Sequence, residues 1–144
     1  LDGGAGNDTM EGGNGSDTYV CDSSADIVSE AGTTDGDIDS VIASVNWTLG
    51  AMLENLTLTG SATTGNGNAA ANMLTGNAAA NTMNGAAGND TISGGGGNDT
   101  LTGAAGNDQL TGGAGADDFV LASAVGSDTI TDFLTGTDDI AVRR

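Results

Sequence analysis

Residues 67–120 are six consecutive nine-residue repeats, and a strict repeat of that length leaves few folds open. Fixed-period self-similarity marks a stacked, quasi-one-dimensional architecture. The clearest copies read Gly85-Ala-Ala-Gly-Asn-Asp-Thr-Ile-Ser93, Gly94-Gly-Gly-Gly-Asn-Asp-Thr-Leu-Thr102, Gly103-Ala-Ala-Gly-Asn-Asp-Gln-Leu-Thr111 and Gly112-Gly-Ala-Gly-Ala-Asp-Asp-Phe-Val120. Each has small residues in its first four places, an acid in the sixth and a large apolar residue in the eighth. The eighth place holds Leu74, Met83, Ile92, Leu101, Leu110 and Phe119 without a slip. A disordered Gly/Asn/Ala-rich linker has no physical reason to keep that phase.

Thr or Ser flanks many of these apolar residues, as in Thr91-Ile92-Ser93. The pattern predicts a three-residue strand with one side chain inward and two outward. Such a strand buries nothing alone, so it must stack in parallel on copies of itself. The other six residues must form a tight turn, where Gly adopts positive φ freely and Asn and Asp tolerate it. Two repeats then complete one 18-residue coil, with two small sheets back to back and turns along both edges. The expected fold class is all-β, a parallel β-roll or β-helix of stacked nonapeptides.

Energetics demand a further component. Ordering a backbone costs roughly 1–2 kcal/mol per residue. Burying the one apolar side chain of each repeat returns only roughly 1.5–3 kcal/mol. The sixth-place acids also line up and repel one another, in a chain of formal charge −18. A cation between them resolves both problems. The donors on offer are hard oxygens: the carboxylates of Asp90, Asp99, Asp108 and Asp117, and carbonyls that glycines leave open. With no His and a single Cys, zinc and copper lack a ligand cluster. Calcium accepts about six to eight flexible oxygen donors, whereas magnesium demands a stricter octahedron.

The pattern resembles the RTX repeat, Gly-Gly-x-Gly-x-Asp-x-U-x with U large and apolar. That resemblance implies a right-handed parallel β-roll binding several calcium ions between turns two repeats apart on one edge. The implied pairs are Asp90 with Asp108 and Asp99 with Asp117. Carbonyls would come from Gly95, Gly97, Gly113 and Gly115, and from Ala86, Gly88, Ala104 and Gly106. Ala in the second place should matter little where the ligand is a carbonyl, provided φ stays compatible. In the first two repeats of the block Asn72 and Asn81 replace the acid. They would pair with Asp90 and Asp99 as uncharged ligands.

A first array opens the chain, with Gly3-Gly-Ala-Gly-Asn-Asp-Thr-Met-Glu11 and Gly12-Gly-Asn-Gly-Ser-Asp-Thr-Tyr-Val20. Cys21-Asp-Ser-Ser-Ala-Asp-Ile-Val-Ser29 keeps the phase but lacks glycines. Asp8 is expected to pair with Asp26, supported by Gly4 and Gly6. Asp17, with Gly13 and Gly15, has no acid two repeats on. Its site is incomplete, borrows Glu30, or pairs with a repeat before residue 1. The expected organisation is a first repeat block at 1–29, an irregular β segment continuing the stack at 30–66, a second block at 67–120 and capping strands at 121–144.

Within 30–66 the alternation of Val41, Ala43, Val45, Trp47 and Leu49 predicts one strand. Leu53, Leu56 and Leu58 predict another. Asp35, Asp37 and Asp39 resemble the start of an EF-hand loop, but Ser40 stands where that loop needs Gly and Asn46 where it needs Glu. A solvated acidic turn is the simpler expectation. At the end, residues 127–133 and 138–142 predict short capping strands, with Phe119 and Phe133 closing the core.

The only cations are Arg143 and Arg144, so a nucleic-acid partner is not expected. No apolar run approaches the roughly 20 residues of a spanning helix. Without His or Lys there is no Ser-His-Asp site, P-loop lysine or Schiff base. The repeat acids read as metal ligands rather than glycosidase carboxylates, and Cys21 as an incidental small residue. The expected function is non-catalytic: a calcium-binding module that folds on extracellular calcium within a larger secreted protein, with calcium and other domains of the same polypeptide as partners. The resemblance adds bacterial origin and export by a dedicated type I transporter. One alternative is an adhesin or surface-layer segment that self-associates. Another is the tail of a secreted hydrolase or polysaccharide-modifying enzyme with its active site elsewhere. All three place the chain outside the cell or on its surface.

Overall fold

The computed structural model describes residues 1–30, 36–122 and 126–143. Its strands run in chain order: β1 (Thr9–Glu11), β2 (Thr18–Cys21), β3 (Ile27–Ser29), β4 (Ser40–Ala43), β5 (Trp47–Thr48), β6 (Asn55–Leu58), β7 (Thr64–Asn66), β8 (Met73–Thr75), β9 (Thr82–Asn84), β10 (Thr91–Gly96), β11 (Thr100–Thr102), β12 (Gln109–Ala114), β13 (Asp118–Ala122), β14 (Thr129–Ile130) and β15 (Asp139–Arg143). No helix occurs among the described residues.

Even-numbered strands from β2 to β14 form one seven-stranded sheet, and odd-numbered strands from β5 to β15 form a six-stranded sheet. All pairings are parallel, and the chain winds through about 7 turns. This is the all-β parallel solenoid expected of the repeat. In the regular part Ile92 lies between Leu74 and Leu110, and Leu101 between Met83 and Phe119. One coil there is 18 residues, or two repeats. All six eighth-place side chains are fully buried, at 0% exposure. They form two facing ladders, one per sheet. Where Gly65 takes a ladder place opposite Met83, the Met83 sulfur and the methyls of Leu56 and Leu58 fill its missing side chain.

Coil length changes where the repeat fades. The coil from Asp17 to Asp39 has 22 residues and the next, to Glu54, has 15. The coils that reach Asp128 and Asp138 have 20 and 21. The one-strand expectation for residues 41–49 is corrected: β4 and β5 lie in different sheets, separated by a bend at Ser44 and Val45. Alternation persists across the corner because the same core lies inside both sheets. β3 pairs with β1 but not with β5, so a cleft lined by Ser24, Asp26, Asn46, Trp47 and Thr48 opens beside that missing pairing.

At the far end β14 is shorter than the 127–133 expected, and β15 matches its expected position. The rings of Phe119 and Phe133 meet with centroids 6.2 Å apart at 51°. Ile140 and Val142 on β15 are exposed at the end of the stack.

Candidate metal centre

Along each edge of the roll the sixth-place side chains fall into a column. In eight steps of these columns, Oδ1 of one residue accepts the backbone N–H of its counterpart one coil earlier. On one edge Asp26 accepts from Asp8 at 3.0 Å, Asp99 from Asn81 at 2.7 Å, Asp117 from Asp99 at 2.8 Å and Asp138 from Asp117 at 3.1 Å. On the other, Asp39 accepts from Asp17 at 2.7 Å, Asp90 from Asn72 at 2.8 Å, Asp108 from Asp90 at 2.9 Å and Asp128 from Asp108 at 3.2 Å. The sequence-derived pairs Asp90 with Asp108, Asp99 with Asp117 and Asp8 with Asp26 are therefore column neighbours. So are Asn72 with Asp90 and Asn81 with Asp99.

Asp39, Asp128 and Asp138 were not anticipated in these columns. They follow their partners by 22, 20 and 21 residues, off the 18-residue phase. A usable signal was the triplet of Asp, any residue and an apolar residue. It recurs as Asp39-Ser-Val41, Asp128-Thr-Ile130 and Asp138-Asp-Ile140. The solvated-turn expectation for the acids before β4 is also corrected. Asp39 is only 5% exposed, and Asp37 Oδ2 accepts the Gly15 N–H at 2.9 Å. Asp35 lies outside the described residues.

The second carboxylate oxygen carries the chemistry. Oδ2 of Asp8, Asp90, Asp99 and Asp108 is buried and has no hydrogen-bond partner. A buried charged oxygen without a donor or counter-ion is strongly unfavourable. It faces the first-place glycine of its own turn: a Cβ on Gly85, Gly94 or Gly103 would collide with Oδ2 of Asp90, Asp99 or Asp108. The first-place carbonyl of the next coil converges there too. Gly103 O lies 2.9 Å from where a Gly85 Cβ would be, and Gly112 O 2.7 Å from that of Gly94. Glycine is thus required in the first place by crowding, not by φ.

In the second and fourth places a conformational requirement is added to crowding, since a Cβ on Gly106 or Gly115 would also collide with Gly88 O or Gly97 O. Gly4, Gly6, Gly13, Gly15, Gly88, Gly95, Gly97, Gly106, Gly113 and Gly115 all have positive φ, as do Ala86 at 79° and Ala104 at 75°. These are the residues expected to supply carbonyls. Alanine there is not neutral, because the left-handed region costs a non-glycine residue about 1–2 kcal/mol.

Electrostatics follow from burial. Asp90 is pushed up to about 6 by desolvation, opposed by the Asn72 N–H and reinforced by the charge of Asp108. Asp99 and Asp108 are raised above the ordinary carboxylate value for the same first cause. Asp26 is lowered, chiefly by the Asp8 N–H it accepts. Burial pushes the Cys21 thiol up to about 11.

The turn of Asp17 is built differently. Carboxylate oxygens of Asp17, Glu30 and Asp39 lie within 4.8 Å of one another. Glu30 Oε2 accepts the Gly13 N–H at 3.2 Å, and its Oε1 accepts the Tyr19 hydroxyl. Glu30 thus lies beside Asp17, with Asp39 as a third acid.

These oxygens fit a hard, flexible cation. They are carboxylates lacking partners, converging carbonyls and no nitrogen or sulfur donor. Comparison with known proteins agrees. The profile of the RTX calcium-binding nonapeptide repeat matches in four copies, at residues 1–28, 59–101, 86–119 and 93–130. The unmatched stretch in the middle holds the coil of 15 residues and part of the coil of 22. No curated protein matches the chain. Among the described residues no helix is long and apolar enough to cross a membrane. The roll is of a structural, non-catalytic type whose arrays bind several calcium ions, and the chain belongs to the RTX calcium-binding nonapeptide repeat family.

Proposed function

We propose that this chain is a calcium-dependent folding module of a larger secreted bacterial protein. Ions would sit between Asp8 and Asp26, Asp90 and Asp108, and Asp99 and Asp117, with carbonyls from the second and fourth places of those turns. Asp128 and Asp138 would extend the two columns, and Asp17 would share Glu30 and Asp39. The buried Oδ2 atoms without partners are the observation that carries this reading. Calcium would supply positive charge to each of them and tie one coil to the next. Binding free energy then becomes folding free energy.

The family typifies secreted bacterial proteins, and the energetics suit that setting. Extracellular modules bind calcium at about 10⁻⁴–10⁻³ M, far above cytosolic levels. A chain of this kind stays unfolded inside the cell, passes an exporter as a coil, and folds outside. Titrating calcium into chelator-treated protein at neutral pH, followed by far-ultraviolet circular dichroism, tests the reading. A cooperative gain of β signal is expected. A β spectrum already complete in strong chelator, and unchanged by calcium, would defeat it.

A further inference from the structure

We infer that the two asparagine turns, at 67–72 and 76–81, close without metal and clamp the middle of the roll. They would thereby provide a seed on which the calcium-dependent coils build. The clamp stands on its own hydrogen bonds, while the growth from it rests on the calcium reading above.

The two kinds of turn differ in backbone as well as side chain. Every aspartate turn from 85 to 117 has left-handed residues in its second and fourth places. Neither asparagine turn has a residue at positive φ. Its second-place N–H instead points inward: Asn68 N–H donates to Asn72 Oδ1 at 2.7 Å, and Asn77 N–H to Asn81 Oδ1 at 2.9 Å. The oxygen that stands where Asp90 has its orphaned Oδ2 is therefore already satisfied.

The amide nitrogens do what a carboxylate cannot. Asn72 Nδ2 donates to the carbonyls of Leu53 at 3.1 Å and Glu54 at 3.3 Å, and Asn81 Nδ2 to Ala62 at 3.2 Å. In the second place, Asn68 Nδ2 reaches Gly50 O and Leu53 O, both at 2.7 Å, and Asn77 Nδ2 reaches Ala62 O at 2.7 Å. These bonds cross between coils at the places where aspartate turns would need an ion. Asn72 and Asn81 are 3% and 2% exposed, yet neither has an orphaned side-chain atom. An acid at either site would press its charge against those carbonyls.

Composition favours the same segment. Each asparagine repeat holds one Gly, against four in the repeat that starts at Gly94. Less backbone freedom is lost on ordering it. Beneath the clamps lie Leu49, Leu53, Leu56, Leu58 and Ala62, all buried.

Hydrogen exchange on the whole chain, in chelator and then in calcium at neutral pH, tests the inference. The Met73 and Thr82 amides, which donate to Glu54 O and Thr63 O, report on the clamped coils. The Gln109 and Asp118 amides, which donate to Asp90 O and Asp99 O, report on the aspartate coils. In chelator Met73 and Thr82 should exchange more slowly than Gln109 and Asp118 by about tenfold or more. Equal rates would overturn the clamp. The double variant Asn72→Asp with Asn81→Asp should remove the protection of Met73 and Thr82 in chelator, and its survival would also overturn the clamp. Calcium that fails to slow Gln109 and Asp118 would defeat the calcium reading separately, with the chelator comparison still deciding the clamp.

Discussion

Acidifying the calcium-free chain should strengthen its fold, the reverse of ordinary acid denaturation. Asp90 dominates the effect. It is 1% exposed, its Oδ2 has no partner, and burial raises its carboxyl from 3.8 to about 6. Between those values the folded chain binds a proton that the unfolded chain has released. Stability therefore falls as pH rises through that window. A rise of about two units corresponds to about 3 kcal/mol over the whole window. Moving from about pH 7 to about pH 4.5 recovers about 2 kcal/mol of it. Asp99 and Asp108, also raised by burial, act in the same direction. Asp26 is lowered and acts against them, since its contribution is present above the ordinary value and is lost as pH falls through its lowered one. A pH titration of calcium-stripped protein, followed by circular dichroism, measures the balance. The β signal should rise on acidification. A β signal that stays flat or falls from neutral pH to about pH 4.5 would refute the view that ionised, uncompensated carboxylates hold the metal-free roll back. With saturating calcium the trend should invert, because protons then compete with the ion.

Other perturbations separate charge, space and core. Asp108→Asn keeps an oxygen for the Asp90 N–H but removes a charge, so it should stabilise the calcium-free chain and raise the calcium needed for folding. The β signal in chelator and a calcium titration, both by circular dichroism, should show those opposite effects. Gly94→Ala places a Cβ against Asp99 Oδ2 and 2.7 Å from Gly112 O, and should shift the calcium midpoint of folding upward by about tenfold or more. Leu101→Ala, at a site with 0% exposure between Met83 and Phe119, should cost about 2–5 kcal/mol in calcium, read from urea melts. Magnesium at the same concentration should give far less β signal than calcium in the dichroism titration, because it dehydrates reluctantly and needs a stricter octahedron.

Much of this molecule was legible because the repeat period and the coil are the same number. Leu74, Ile92 and Leu110 were readable as one ladder since each lies 18 residues from the next, and so were the Asp90 and Asp108 neighbours. The columns were lost where that equality fails. Asp39, Asp128 and Asp138 occupy the right places after longer coils, and only side-chain hydrogen bonds across the edge reveal them. Strand count failed at Ser44 for a related reason. Alternation reports which side faces the core, and it continues through a corner when the core lies inside both sheets. Asn72 and Asn81 were placed by phase among the acids, yet their amide hydrogens and the absence of positive φ around them have no signature in a residue count. The positive φ of Ala86 and Ala104 was equally hidden, since alanine carries no preference for it.

The most direct measurement is anomalous scattering from crystals grown in calcium. Peaks along both edges, between Asp90 and Asp108 and between Asp99 and Asp117, each ringed by aspartate oxygens and second- and fourth-place carbonyls, are the expected result. A well-ordered roll with those aspartate columns free of any peak would contradict it.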